Sequence, residues 1–279
     1  MLESYLPEYI LKNIHKFKTI QEIRIRLGKP YIIVSENQEY IFEILTDEMF
    51  GQVVKMLTSH SVYAVRENLK NGFITISGGH RVGFSGTCVI RNGEIYHIKD
   101  ITGINIRIAK QYIGISEGIY SLLMDKLRNL LIISPPGCGK TTYLRDLARI
   151  ISNNGYNVSV IDERGEIFPY NDKGCIFDSG LRCDTINLCL KSDGIRIMLR
   201  VMNPDVIICD EIATKEDAYS IQSASASGVK IIASMHGIST DDYLKRPEFS
   251  ELVLNKVFSD FVVLSKKNGV GTIDKVSRL

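Results

Sequence analysis

The sequence predicts an α/β protein in two parts: a smaller α+β domain, then a larger domain built on a mostly parallel sheet. Three observations carry this expectation. Up to Ala109, short strand-like runs are interleaved with two amphipathic helical stretches. From Ile119 onward, apolar runs alternate with amphipathic segments, the pattern of βαβ units covering a buried parallel sheet. Within that second part, Leu130 to Thr142 passes from an apolar run through a glycine-containing turn into a helical segment.

The expected boundaries in this 279-residue chain are an N-terminal domain over residues 1–112, a linker over 113–118 and the larger domain over 119–279. Leu6, Ile10, Leu11, Ile14 and Phe17 recur at helical spacing, and Phe50, Val53, Val54 and Leu57 do so again. Strands are expected at Glu22–Leu27, Tyr31–Ser35, Phe73–Ser77, His80–Phe84, Thr87–Arg91 and Asn105–Ala109. Ser77-Gly78-Gly79 and Arg91-Asn92-Gly93 suit hairpin turns, because they tolerate the positive φ such turns require. In the larger domain the expected strands are Leu130–Ser134, Asn157–Asp162, Val206–Asp210 and Lys230–Ser234. Phe261–Ser265 and Gly271–Val276 close the sheet's edge.

Composition narrows the function classes. Hydrophobic residues make up 44% and charged residues 24%, which fits a folded globular chain. The net charge of +2 carries no basic excess of the kind nucleic-acid-binding domains show, so no direct nucleic-acid contact is expected. The longest apolar runs, such as Leu130–Ile133, are far short of the roughly 20 residues needed to span a bilayer. The N-terminal residues lack the order of a secretory signal, so a cytoplasmic location is expected. The six cysteines form no C-x-x-C pair and are expected to be reduced thiols without metal.

The turn Ser134-Pro135-Pro136-Gly137-Cys138-Gly139-Lys140-Thr141-Thr142 has the make-up of a phosphate-binding loop. A chain wrapping a polyphosphate points several N–H groups inward, which glycine permits at Gly137 and Gly139, and the following helix presents its free N–H groups to the anion. Lys140 suits the β- and γ-phosphates of ATP, and the Thr141 hydroxyl suits Mg²⁺. The pattern usually begins with glycine; here Ser134 stands in that place. A second apolar strand ends in Asp210-Glu211, where Asp210 suits the metal and Glu211 the attacking water. A second acidic strand end, Asp162-Glu163, makes Glu163 a competing water-activating or metal-positioning group. His236 follows another strand and suits a phosphate sensor.

Taken in order, Ser134–Thr142, Ile161–Glu166, the Leu199-Arg200 to Pro204-Asp205 lead into Asp210-Glu211, and Ser234-Met235-His236-Gly237 resemble four motifs of one family. They are the Walker A, Asp box, Walker B and His box of the type II/type IV secretion ATPases. Glu22–Pro30, Gly72–Gly83 and Ile104–Ala109 further resemble the stage III sporulation AA family. The resemblance implies a RecA-like P-loop ATPase domain and a homo-hexameric ring. It also implies a task in endospore formation, powering a secretion-like channel from the mother-cell cytoplasm with membrane proteins of the stage III sporulation complex as partners. On that analogy Arg107, with Arg24, Arg26 or Arg81 as further candidates, reaches the γ-phosphate. Arg164, Arg182 and Arg200 are similar candidates from the larger domain. A nucleic-acid-remodelling ATPase and an ATP-dependent assembly scaffold with slow turnover remain open beside the motor.

Overall fold

A computed structural model describes residues 2–59, 72–76, 79–91, 93–123, 126–171, 174–175 and 177–278. The expected turn residues Ser77, Gly78 and Asn92 lie outside the described residues. The chain divides into two compact units, Met1–Lys110 with Tyr170–Ile176, and Gln111–Pro169 with Phe177–Leu279.

The first unit is a six-stranded antiparallel sheet in the order β3-β2-β1-β6-β5-β4. Its strands are β1 (Glu22–Arg26), β2 (Pro30–Ser35), β3 (Gln38–Ile44), β4 (Phe73–Ile76), β5 (His80–Arg91) and β6 (Glu94–Arg107). Period-two alternation sends Ile23, Ile25, Val82, Phe84, Ile104 and Ile106 to one face, where they are buried. Helices Glu8–Ile14 and Asp47–Ser59 add Ile10, Leu11, Ile14, Phe50, Val53 and Leu57 to the same core. The opposite face carries Arg24, Arg26, Arg81 and Arg107, with Arg24 opposite Asn105 and Arg81 opposite Arg107 in the ladders. The two expected strands His80–Phe84 and Thr87–Arg91 are one strand, and β6 begins well before Asn105. A register shift between Ser85 and Thr87 marks where the sequence pattern broke. A small two-stranded ladder pairs β9 (Tyr170–Asn171) with β10 (Gly174–Cys175).

The second unit centres on a seven-stranded sheet in the order β11-β8-β12-β13-β7-β14-β15. Its strands are β7 (Leu130–Ser134), β8 (Val158–Asp162), β11 (Cys183–Asn187), β12 (Val206–Cys209), β13 (Lys230–His236), β14 (Asp260–Ser265) and β15 (Thr272–Arg278). All neighbours run parallel except β14 and β15, so the expected mostly parallel sheet is a mixed one with an antiparallel edge. The antiparallel pair has a simple cause: a short connection from Ser265 to Thr272 can only reverse the chain, since a parallel crossover needs a dozen or more residues. Strands β7, β8 and β12 are buried at every position, which is why β7 and β12 read as near-continuous apolar runs, while β8 buries Ser159 and Asp162 among its apolar residues.

Helices Lys140–Asn153, Lys191–Val201 and Lys215–Ala226 cover this sheet. Leu144 and Leu147 of the first are fully buried, each worth roughly 1.5–3 kcal/mol of burial. Asp146 of the same helix accepts the backbone N–H groups of Gly114 (3.1 Å) and Ser116 (2.8 Å), fixing the start of helix Glu117–Leu123. Among the described residues no helix is long and apolar enough to cross a membrane, and none of Cys88, Cys138, Cys183, Cys189 and Cys209 is in a disulfide.

Two glycines on helices test this packing in opposite senses. A Cβ at Gly194 would lie 2.6 Å from Ile161 Cγ2 and 3.2 Å from Cys189 Sγ, whereas one at Gly118 would meet nothing within 4 Å. Gly194→Ala is expected to destabilise the protein by about 1–3 kcal/mol through overpacking. Gly118→Ala is expected to stabilise it by about 0.4–1 kcal/mol through the unfolded chain. Urea midpoints measure both, and a Gly194→Ala variant of parental stability would contradict the packing described.

Candidate active site

Because β7, β8, β12 and β13 are parallel, their carboxyl ends emerge along one edge of the sheet. Ser134 and His236 are register partners at that edge, and Cys209, the last residue of β12, pairs with both Ile161 and Ala233. Four motifs far apart in sequence therefore meet in space.

The phosphate loop leaves β7 at Ser134, whose hydroxyl donates to the Pro135 carbonyl at 2.9 Å. Gly137 and Gly139 adopt φ of 69° and 91°, the left-handed region the sequence requires of them. Pro136 and Gly137 are exposed, Pro135 is half-buried, and Cys138 is buried with its thiol towards the Pro136 carbonyl. Gly139 caps helix Lys140–Asn153 without a side-chain acceptor, so the first-turn N–H groups, including those of Thr141 and Thr142, have no side-chain cap. Both threonines are half-buried at that helix start.

Lys140 is only 5% exposed. Its Nζ lies 3.4 Å from the Ser134 carbonyl oxygen and 3.0 Å from His236 Nδ1. Burial lowers its pKa, opposed by the charges of Glu211, Cys138 and Asp210. An ammonium can only donate, so Nδ1 of His236 accepts and the ring proton is assigned to Nε2. That N–H faces Glu211 Oε1 at 3.0 Å, and Glu211 Oε2 meets Arg164 Nη1 at 3.0 Å. The result is a continuous chain from Lys140 through His236 to Glu211 and Arg164.

Asp210 is 3% exposed and accepts no hydrogen bond from the described residues. Burial, reinforced by the like charge of Asp162, pushes its pKa up to about 7. A buried carboxylate short of positive charge fits a divalent cation, and the Thr141 hydroxyl is the second group at this edge suited to one. Among the described residues no three His, Cys, Asp or Glu side chains gather as a metal site. A cation here would complete its shell with water and phosphate oxygens.

Glu163 stands apart from Glu211. It pairs with Lys191, 7% exposed, at the start of helix Lys191–Val201. Burial works against the Lys191 charge, but Glu163, Asp217 and Asp210 outweigh it and raise the pKa. Asp162 is structural: its carboxylate accepts the N–H groups of Glu166, Ile167 and Phe168, each at 2.9 Å. Arg145 closes the same loop by donating to the Ile167 and Glu166 carbonyls at 2.6 and 2.7 Å.

Arg107 belongs to the N-terminal unit, at the end of β6, with its Nε 3.8 Å from Glu22 Oε1. Arg24 pairs with Glu22 at 2.9 Å, and Arg81 stacks on Phe73 with its guanidinium 3.6 Å from the ring centre. Arg24, Arg26, Gly83, Gly103 and Asn105 line a groove of about 330 Å³ on that arginine-bearing face. Arg182 precedes β11 and Arg200 lies in helix Lys191–Val201; neither takes part in the chain from Lys140 to Arg164.

Sequence reasoning did not single out Lys191, Arg145 or Lys266. Lys191 opens a helix, where a basic residue reads as an ordinary surface charge. Lys266 lies between β14 and β15, with Nζ 3.2 Å from where a Cβ on Gly137 would stand. No local pattern connects either to the site.

A family model described as sporulation stage III, protein AA, matches residues 1–278. The chain is 38% identical over 269 residues to stage III sporulation protein AA of Bacillus subtilis (strain 168), covering 92% of this chain and 86% of that protein. It is 28% identical over 169 residues to the protein SEEDLING PLASTID DEVELOPMENT 1 of Arabidopsis thaliana, covering 59% of this chain and 24% of that protein. Among solved structures, the pilus retraction motor PilT with bound ADP is similar with a TM-score of 0.63 at 16% identity, covering 91% of this chain and 76% of that one. The ATPase DotB of Legionella pneumophila is similar with a TM-score of 0.59 at 14% identity, covering 94% of this chain and 76% of that one. At such identities the likeness is one of fold alone.

The elevated pKa of Asp210 has a consequence for stability. Between the ordinary aspartate value and about 7, the folded chain holds a proton that the unfolded chain has released. Its contribution is therefore present at low pH and lost as pH rises through that window. Asp210→Asn is expected to be more stable than the parent at pH 8 by about 1–3 kcal/mol, the gap closing towards pH 4. Urea denaturation without nucleotide measures it, and a gap that does not vary with pH would show that Asp210 ionises normally.

Proposed function

We propose, from the premise that this chain belongs to the stage III sporulation protein AA family, that it is a cytoplasmic ATP-hydrolysing motor working as a hexameric ring. Its partners are membrane proteins of the stage III sporulation complex, whose secretion-like channel it powers from the mother-cell side. The observation that supports ATP hydrolysis best is the chain Lys140–His236–Glu211–Arg164 at the mouth of a glycine loop.

The residues divide the work as follows. Ser134 to Thr142 wrap the phosphates with backbone N–H groups and the helix start. Lys140 supplies positive charge to the β- and γ-phosphates, and Thr141 with Asp210 would hold Mg²⁺. When bound, the ion neutralises phosphate charge during transfer. Glu211 orients and deprotonates the attacking water. Both its oxygens are held by cationic or N–H partners in the structure described, so phosphate oxygens that draw Lys140 and Arg164 towards themselves would release it for proton transfer. His236 couples the two events, since its ring touches both Lys140 and Glu211. Glu163, held by Lys191, positions water or metal. Arg107 completes the site in the assembled ring as a phosphate-contacting cation, the task of the smaller domain, which we assign to residues 1–112.

Glu211→Gln is expected to lower kcat by about 10²–10⁴-fold while nucleotide still binds. Glu163→Gln is expected to cost less, Lys140→Ala to weaken nucleotide binding itself, and Arg107→Ala to reduce turnover. A Glu211→Gln enzyme of full activity would move the water-activating role to Glu163. Light scattering with and without a non-hydrolysable ATP analogue tests the ring; a strict monomer in both conditions would sink it.

A further inference from the structure

Glu211 has φ of 35°, in the left-handed region that side-chain-bearing residues avoid. It is the one residue of the candidate constellation so placed, glycines aside. Some contact must hold it there, and both backbone contacts come from a single residue of the next strand. The β12–β13 ladder ends at Cys209 opposite Ala233. Beyond it, the Glu211 N–H donates to the Ser234 hydroxyl at 3.0 Å and the Ile212 N–H donates to the Ser234 carbonyl at 2.8 Å.

Ser234 is fully buried, in a strand whose other interior residues, Ile231, Ile232, Ala233 and Met235, are apolar. A hydroxyl among them has no packing rationale, and its acceptor lone pair is what the turned-in amide of Glu211 needs. An alanine there would leave that amide unpaired, a cost the chain escapes by leaving the left-handed turn. His236 lies two residues further along the same strand and so on the same face. Ser234 thus grips the backbone of Glu211 while His236 grips its carboxylate.

We infer that Ser234 is a positioning residue for hydrolysis: its hydroxyl fixes the backbone turn that aims the Glu211 carboxylate at the nucleotide. The inference rests on Glu211 acting on the attacking water. It separates binding from turnover, because the Ser234 hydroxyl bonds the Glu211 amide and, among the described residues, neither the glycine loop nor Lys140.

The experiment is a double-mutant cycle on the purified full-length chain, reading kcat for ATP and the affinity for a fluorescent ATP analogue. Ser234→Ala is expected to lower kcat about 10- to 100-fold with affinity unchanged within twofold. Ser234→Thr, which keeps the hydroxyl, is expected to recover most of the rate. In a Glu211→Gln background, Ser234→Ala is expected to cost nothing more. A wild-type rate for Ser234→Ala overturns the inference, as do parallel losses of rate and affinity or additive effects with Glu211→Gln. Should the extra methyl of threonine lower the thermal midpoint, the alanine and glutamine cycle decides alone. Full activity of Glu211→Gln, or a wild-type chain that does not hydrolyse ATP, defeats the reading of Glu211 and this inference with it, and is seen before Ser234 is changed.

Discussion

Taking a lysine ammonium out of water costs several kcal/mol unless fixed dipoles and opposite charges replace the lost hydration, and the second unit is arranged around that requirement at Lys140. The side chain is nearly inaccessible. Its partners are the Ser134 carbonyl at the end of β7 and the His236 ring at the end of β13, with the charges of Glu211 and Asp210 just beyond β12. These groups come from three strands separated by scores of residues in sequence. Only a sheet in which those strands run parallel and lie side by side delivers their ends to one point, and the order β12-β13-β7 does so. The apolar runs that bury the strands on both faces are therefore also what holds the polar edge in register. An insertion that slipped β13 by one residue would turn His236 and Ser234 away from Lys140 and Glu211 together.

The same field separates the two glutamates that the sequence leaves equivalent. Each follows a buried aspartate whose pKa burial raises, yet the two aspartates differ in what their carboxylates hold. Asp162 spends its carboxylate on three amides of its own loop. Asp210 has no such loop to satisfy it and stays buried with an elevated pKa. Glu163 is then claimed by Lys191, whereas Glu211 is shared between a histidine and a 62%-exposed arginine. A partner that exposed is held weakly, since solvent screens the pair. Glu211 is consequently the carboxylate that can be freed at small cost.

What was legible in the sequence follows from which constraints are local. The glycine loop reads directly because positive φ and a helix start leave marks within a few residues, and the acidic strand ends read because apolar runs announce them. Strand β3 was missed because the edge of a sheet, exposed along most of Gln38–Ile44, leaves little alternation to detect. Strand β11 was missed for a related reason: Cys183–Asn187 is half-buried throughout and largely polar, its place set by pairing with β8 rather than by its own composition. Lys191, Arg145 and the role of Ser234 were hidden in a different way. Each acts on a residue distant in sequence, through one contact that depends on sheet order or helix docking, and a single basic or hydroxyl residue carries no trace of the group it will meet.

The arginine-bearing face of the first unit shows why net charge is a poor guide to anion contacts at short range. The chain as a whole is nearly neutral, at +2. Period-two alternation nevertheless places Arg24, Arg26, Arg81 and Arg107 on one face by the same rule that buries the isoleucines between them. Glycines deepen the floor: a Cβ on Gly103 would stand 2.5 Å from Ser85 Oγ, and that hydroxyl would have to turn away to admit it. Glu22 is the acid paired with Arg24 and near Arg107, and it is only 15% exposed, so the guanidinium groups project further from the sheet than their counter-charge. A small polyanion fits such a cluster, whereas a long nucleic-acid tract would need basic residues spread over a wider surface. The alternation along β1, β5 and β6 creates that cluster, so a chain of low net charge still presents several guanidinium groups on one face.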